Sequence, residues 1–140
     1  MKRYLTPVDG SPGADKALAH AIARARETKA EIHVLHVVPP VDYDELKNYE
    51  ERSDIAKIRR EAHQRILASA ADQVKASGIA CASHLLVGHP GETIAQFAES
   101  QNIDEIIIGS RGRGAIGSML LGSVSSKVAQ LARMPVTLVK

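Results

Sequence analysis

Apolar positions along the chain follow two alternating periods. Tyr4-Leu5-Thr6-Pro7-Val8-Asp9 is short and β-compatible, and Gly10-Ser11-Pro12 closes it. Ser11 can cap a following helix, and Pro12 suits a first helical turn, where an amide N–H would have no partner. Over residues 14–28, Ala17, Leu18, Ala21, Ile22 and Ala25 return at three- and four-residue spacing. That is the stripe of an amphipathic helix packed through small side chains. Residues 32–38 read as a second strand stopped by Pro39-Pro40. Ile55, Ile58, Ala62, Ile66, Ala70 and Val74 mark one face of a long helix ending near Gly78. Residues 80–87 read as a third strand, stopped at Gly88-His89-Pro90-Gly91, and Ile94, Ala95, Phe97 and Ala98 belong to a short helix. Residues 104–108 form a fourth strand, whose β-branched run Ile106-Ile107-Ile108 expects cover on both faces. A Gly-rich stretch then reaches Gly122, followed by a helix over residues 123–133 and a fifth strand over Val136–Val139.

Strict alternation of strand and helix makes one α/β domain over residues 1–140, with a mostly parallel sheet. The length is enough for a real core. No internal repeat, linker or low-complexity tract divides it. Residues 42–51, with five acids against Lys47, are expected to be a solvated, mobile segment.

Composition narrows the class. Apolar residues at 44% with 24% charged describe a globular chain rather than a disordered one. No run of about 18 apolar residues could cross a bilayer, and the N-terminus lacks the apolar stretch of a signal peptide. No membrane partner is therefore expected. Cys81 is the single cysteine and cannot make an internal disulfide or a multi-thiolate metal site, which fits a reducing, cytoplasmic setting.

The net charge of +2 hides an asymmetry. Residues 106–140 hold Arg111, Arg113, Lys127, Arg133 and Lys140 and no acid, a balance of +5 against −3 over residues 1–105. An anionic partner is expected at the C-terminal quarter. Nucleic acid is not, because Tyr4, Tyr43, Tyr49 and Phe97 build no stacking platform and no recognition motif is present.

In open α/β sheets, ligands sit beyond the carboxyl ends of the strands, where the winding reverses. The Gly-rich loop after the fourth strand lies at such an end. Glycines let backbone N–H groups approach a phosphate with no Cβ in the way. Gly122-Ser123-Val124-Ser125 then opens a helix whose first N–H groups lack internal partners and carry the positive dipole end. A Walker A string is absent. Gly112-Arg113-Gly114-Ala115-Ile116-Gly117 spells the dinucleotide fingerprint, but it follows the fourth strand and no acid lies downstream to hold a ribose. That match is read as accidental. A surface loop that is glycine-rich only for its turns explains the composition equally well.

The spacing separates these readings. Gly109, two residues, Gly112, nine residues, Gly122 and then Ser123 resembles the nucleotide signature of the universal stress protein family. Pro7-Val8-Asp9-Gly10-Ser11 after the first strand and Val87-Gly88-His89-Pro90 after the third match as well, so the resemblance covers the whole chain. It implies a doubly wound five-stranded parallel sheet of order 3-2-1-4-5 with helices on both faces, and ATP, with Mg, as ligand. Carried over, Gly109, Gly112, Gly122, Ser123, Val124 and Ser125 would contact ribose and phosphates. Pro7, Val8 and Asp9 would line the nucleoside end, and Val38 and Val87 would wall the adenine. A homodimer through Val136–Val139 is also implied.

Arg111 and Arg113 come from charge and position alone. Either could clamp phosphate oxygens, and a solvated arginine on a loop is the plain alternative. Asp9 has its own alternative, an ordinary turn acid beside Ser11. His33 and His36 lie three apart on a strand, face opposite sides and cannot chelate one ion. His20 and His63, on helices, read as solvated, His89 as a turn residue and Cys81 as a small apolar residue. No catalytic residue and no dedicated metal site is assigned. The expected function is a nucleotide-dependent sensor or regulator of a stress response. Its ATP hydrolysis or autophosphorylation, on Ser123 or Ser125, would be slow at most. The alternative is a homodimeric interaction module with no nucleotide function.

Overall fold

A computed structural model describes residues 1–40, 54–111 and 121–140. In chain order the elements are β1 (Arg3–Pro7), α1 (Pro12–Thr28), β2 (Glu31–Val38), α2 (Asp54–Ala76), β3 (Cys81–Val87), α3 (Pro90–Ser100), β4 (Glu105–Gly109), α4 (Ser123–Leu131) and β5 (Val136–Val139). The acidic segment at residues 42–51 and Gly112 with the eight residues after it lie outside the described residues.

The five strands form one sheet of order β3-β2-β1-β4-β5, every neighbouring pair parallel. β1 lies at the centre, and the chain winds outward from it first through β2 and β3, then through β4 and β5. Parallel pairing forces each connection to cross a face, and the apolar stripes decide which one. Ala17, Leu18, Ala21 and Ala25 of α1 join Ala70, Ala71 and Val74 of α2 over Tyr4, Ile32, Val34 and Ile107 on one face. Ile94, Phe97 and Ala98 of α3 join Val128 of α4 over Leu5, Leu35, Ile106 and Ile108 on the other. Ile106, Ile107 and Ile108 thus divide between two buried faces, as an unbroken β-branched run should.

Local signals set the element ends. The Ser11 side chain accepts a hydrogen bond from the Ala14 N–H, and Pro12 takes the first helical position, so α1 begins earlier than its apolar stripe. Gly10 has φ 81, and that left-handed turn brings the chain from β1 into the cap. α4 stops at Leu131, two residues short of the expected end, because the chain must be extended before Pro135 to enter β5.

Candidate functional site

β1 and β4 are neighbours whose following connections run to opposite faces of the sheet, and a cavity of about 320 Å³ opens at their carboxyl ends. Pro7, Val8 and Asp9 reach it from β1, and Gly109 and Arg111 from β4. Gly122, Ser123, Val124 and Ser125 reach it from the start of α4. Nine of the twelve expected site residues therefore share one cavity. Gly112 lies outside the described residues.

Val38 and Val87 do not line the cavity. Val38 is buried, while Val87, at the open edge of the sheet, is 47% exposed. Apolar walls come instead from Leu35 and Val37 on β2, Ile94 on α3 and Ile108 on β4, with Pro39 and Ile66 toward α2. The error is one of register: Leu35 and Val37 face α3, and Val38 points to the other side of the strand.

The polar side is built around backbone groups. The Asp9 carboxylate accepts a 2.9 Å hydrogen bond from the Ser11 N–H, the turn that also holds the α1 cap. The Ser110 carbonyl accepts from the Gly122 N–H at 2.6 Å and from the Ser125 hydroxyl at 2.8 Å, with the Gly122 carbonyl 3.2 Å from the same hydroxyl. The Gly122 N–H is thus engaged within the protein. The N–H groups that helical geometry leaves without intrahelical acceptors are those of Ser123, Val124 and Ser125. Ser125 is buried and ties the two ends of the Gly-rich segment together, while Ser123 is exposed at the helix start. Gly109 also differs from the phosphate-approach reading: a Cβ there would stand 2.7 Å from the Gly13 carbonyl oxygen, so its missing side chain admits α1.

Two histidines escape the sequence reading. His36, on β2, gives its Nδ1–H to the Val8 carbonyl at 2.8 Å, and its Nε2 lies 2.8 Å from Nδ1 of His63 on α2. Since a carbonyl only accepts, neutral His36 presents a lone pair at Nε2 and His63 donates to it. Both line the cavity, so His63 is not simply solvated. Their separation of 27 residues leaves no local signal; the crossover of α2 over β2 brings them together. His33 faces the other side of the sheet, where it meets His84. His20 is exposed.

Among the described residues no cluster of three or more His, Cys, Asp or Glu could hold a metal ion, and no helix is long and apolar enough to cross a membrane.

The model of the universal stress protein family matches residues 1–140. A universal stress protein of Thermus aquaticus is 38% identical over 142 residues, covering 100% of this chain and 99% of that protein. Among solved structures, the hypothetical protein MJ0577 superposes with a TM-score of 0.83 at 30% identity, covering 99% of this chain and 95% of that one. The universal stress protein from Archaeoglobus fulgidus in complex with dAMP superposes with a TM-score of 0.71 at 25% identity, covering 100% and 98%. Family model, full-length similarity and sheet order agree, and the chain belongs to the universal stress protein family.

Proposed function

We infer that this chain, as one domain over residues 1–140, binds ATP and acts as a nucleotide-dependent regulator of a stress response. The observation that carries the reading is the meeting of Asp9, Arg111 and the α4 N-terminus on one cavity with apolar walls. A nucleoside needs apolar faces for its base and fixed acceptors for its edges and hydroxyls, and Leu35, Val37, Ile94 and Asp9 supply both. Phosphates need N–H donors and positive charge, and the first turn of α4 with Arg111 supplies those. The dAMP complex of the Archaeoglobus fulgidus relative supports a nucleotide ligand.

Gly112 and Gly122 are assigned to phosphate contact by the motif, while Gly109 borders the cavity with a main chain that α1 packs against. Ser123, Val124 and Ser125 face them through N–H groups, and Pro7 and Val8 close the nucleoside end. Val38, on the other side of β2, and Val87, exposed at the sheet edge, are not assigned to the wall. Mg would enter with the phosphates as Mg-ATP. No residue in the cavity is assigned to positioning a hydrolytic water. A regulator read by its occupancy, working in the cytoplasm as a homodimer through Val136–Val139, fits this better than an efficient ATPase.

Acid extraction of the purified protein followed by chromatography should release adenine nucleotide, and the stripped protein should take up Mg-ATP in a calorimeter. A clean extract together with no heat of binding overturns the nucleotide reading and leaves an interaction module. Turnover of radiolabelled ATP faster than about one per second would make the protein an ordinary enzyme instead.

A further inference from the structure

Gly13 belongs to none of the three matching segments that carry the family resemblance. It stands in the first turn of α1, where glycine is a poor choice because it loses the most backbone freedom on ordering. Its neighbours account for it. A Cβ on Gly13 would lie 2.2 Å from the Arg111 carbonyl oxygen, and a Cβ on Gly109 would lie 2.7 Å from the Gly13 carbonyl oxygen. Both obstacles are main chain, so no side-chain rotation relieves them. α1 and the segment leaving β4 meet backbone to backbone because both lack a Cβ at the contact.

The contact sits at the rim of the cavity, which Ser11 and Ala14 line from one side and Gly109 and Arg111 from the other. Ser110, between those last two, holds the Gly122 N–H and the Ser125 hydroxyl through its carbonyl. The depth at which Gly13 seats the main chain of Arg111 is therefore passed on to the first turn of α4.

We propose that Gly13 is a positioning residue of the nucleotide site, fixing how closely the segment after β4 lies on α1. Its ligand consequence rests on the nucleotide reading, whereas its geometry rests on the glycine contacts alone. A methyl group at Gly13 must displace the Arg111 carbonyl by about 1 Å to reach ordinary van der Waals contact. The phosphate end then opens while α1 itself becomes a better helix.

Gly13→Ala is compared with wild type, with Gly109→Ala, which pushes on the same contact from the other side, and with Lys16→Ala, an exposed control on α1. Two quantities are read: the rate of tryptic cleavage after Arg111 in ligand-free protein, and affinity for Mg-ATP. Both glycine variants should be cut about fivefold faster or more and bind about tenfold more weakly or worse. Lys16→Ala should match wild type in both. A purely helical role for Gly13 would raise the unfolding temperature of Gly13→Ala and move neither readout, and that result overturns the proposal. Faster cleavage with unchanged affinity overturns it too. If wild type binds no Mg-ATP, the nucleotide reading has failed; cleavage then decides alone, faster cutting upholding Gly13 as the seat of the segment and unchanged cutting removing it. Should one glycine variant not fold, the other decides by the same two readouts.

Discussion

Ser123 and Ser125 stand one residue apart at the start of α4 and have different surroundings. Ser125 is 2% exposed and its hydroxyl bridges toward the Ser110 and Gly122 carbonyls. Ser125→Ala would remove the hydroxyl that ties these two carbonyls together while each keeps a backbone N–H, from Gly122 and Ser126, at a cost of about 0.5–1.5 kcal/mol in urea unfolding. Ser123 is exposed, so Ser123→Ala should change stability by less than about 0.5 kcal/mol and act, if at all, on ligand affinity. Equal stability losses in the two variants would contradict this division. The sequence shows two serines in one motif and cannot say which is turned inward, because that depends on where Ser110 returns from β4. The same limit explains Val38 and Val87. A strand end can be read from Pro39 or Gly88, but the face that a last residue presents needs the register, and the exposure of Val87 needs β3 to be an edge. Pro7, Val8 and Asp9 were legible because they end the central strand, where any side chain borders the switch point.

Between elements, β2 and β3 are joined on the α3 side by an imidazole pair, His33 Nδ1 and His84 Nε2 at 3.0 Å with rings within 7° of parallel. Glu31 meets the other His33 nitrogen at 3.2 Å and Arg3 at 2.8 Å, and Phe97 of α3 packs on His84. Burial, and then the neighbouring His33, hold the His84 imidazole below its ordinary pKa of 6.5. The hydrogen bond to His33 holds the Glu31 carboxyl below its ordinary value of 4.5. For His84 the unfolded chain takes the proton first, so the stability present above about 6.5 is lost as pH falls through the imidazole range. For Glu31 the stability present above its unfolded value is lost lower, as pH falls through the folded value. Both have the same sign, with His84 acting first. The unfolding temperature should fall as pH drops below the ordinary imidazole value of 6.5, and His84→Gln should make that fall shallower. An equally steep fall in the variant would assign the effect elsewhere. None of this is legible in the sequence. Periodicity locates both strands, but a cross-strand pair depends on which residues stand side by side, and a strand read alone sets His33 only against His36.

Across the whole molecule, the alternation of elements and the glycine spacing were enough for the sheet order, because each βα crossover admits one hand and the resemblance named the rest. The charge split marks the part of the chain that brings Arg111 and the α4 N-terminus to the cavity, while the backbone groups that face it are visible only in three dimensions. What the order leaves unprotected are two edges, β3 and β5. On β3, the Ala80 carbonyl and the Gly88 N–H turn toward β2, so Cys81, Ser83, Leu85 and Val87 direct their backbone groups outward. Leu85 is 44% exposed at that edge. On β5, the Pro135 and Val139 carbonyls accept from β4, so Val136 and Leu138 face outward. The proposed homodimer through β5 would use the second row, and proline at an outward position removes a donor from that row while sparing the ladder to β4. Leu138→Pro should therefore convert the dimer to a monomer in sedimentation, with the parallel pairing of β4 and β5 kept. Leu85→Pro makes the equivalent change on β3 and should leave the dimer intact. The reverse pattern would move the interface to β3, where the longer strand and the exposed Leu85 and Val87 would form it. A monomeric wild type would remove the β5 interface altogether, while the cavity, made within one chain from β1, β4 and α4, would remain as described.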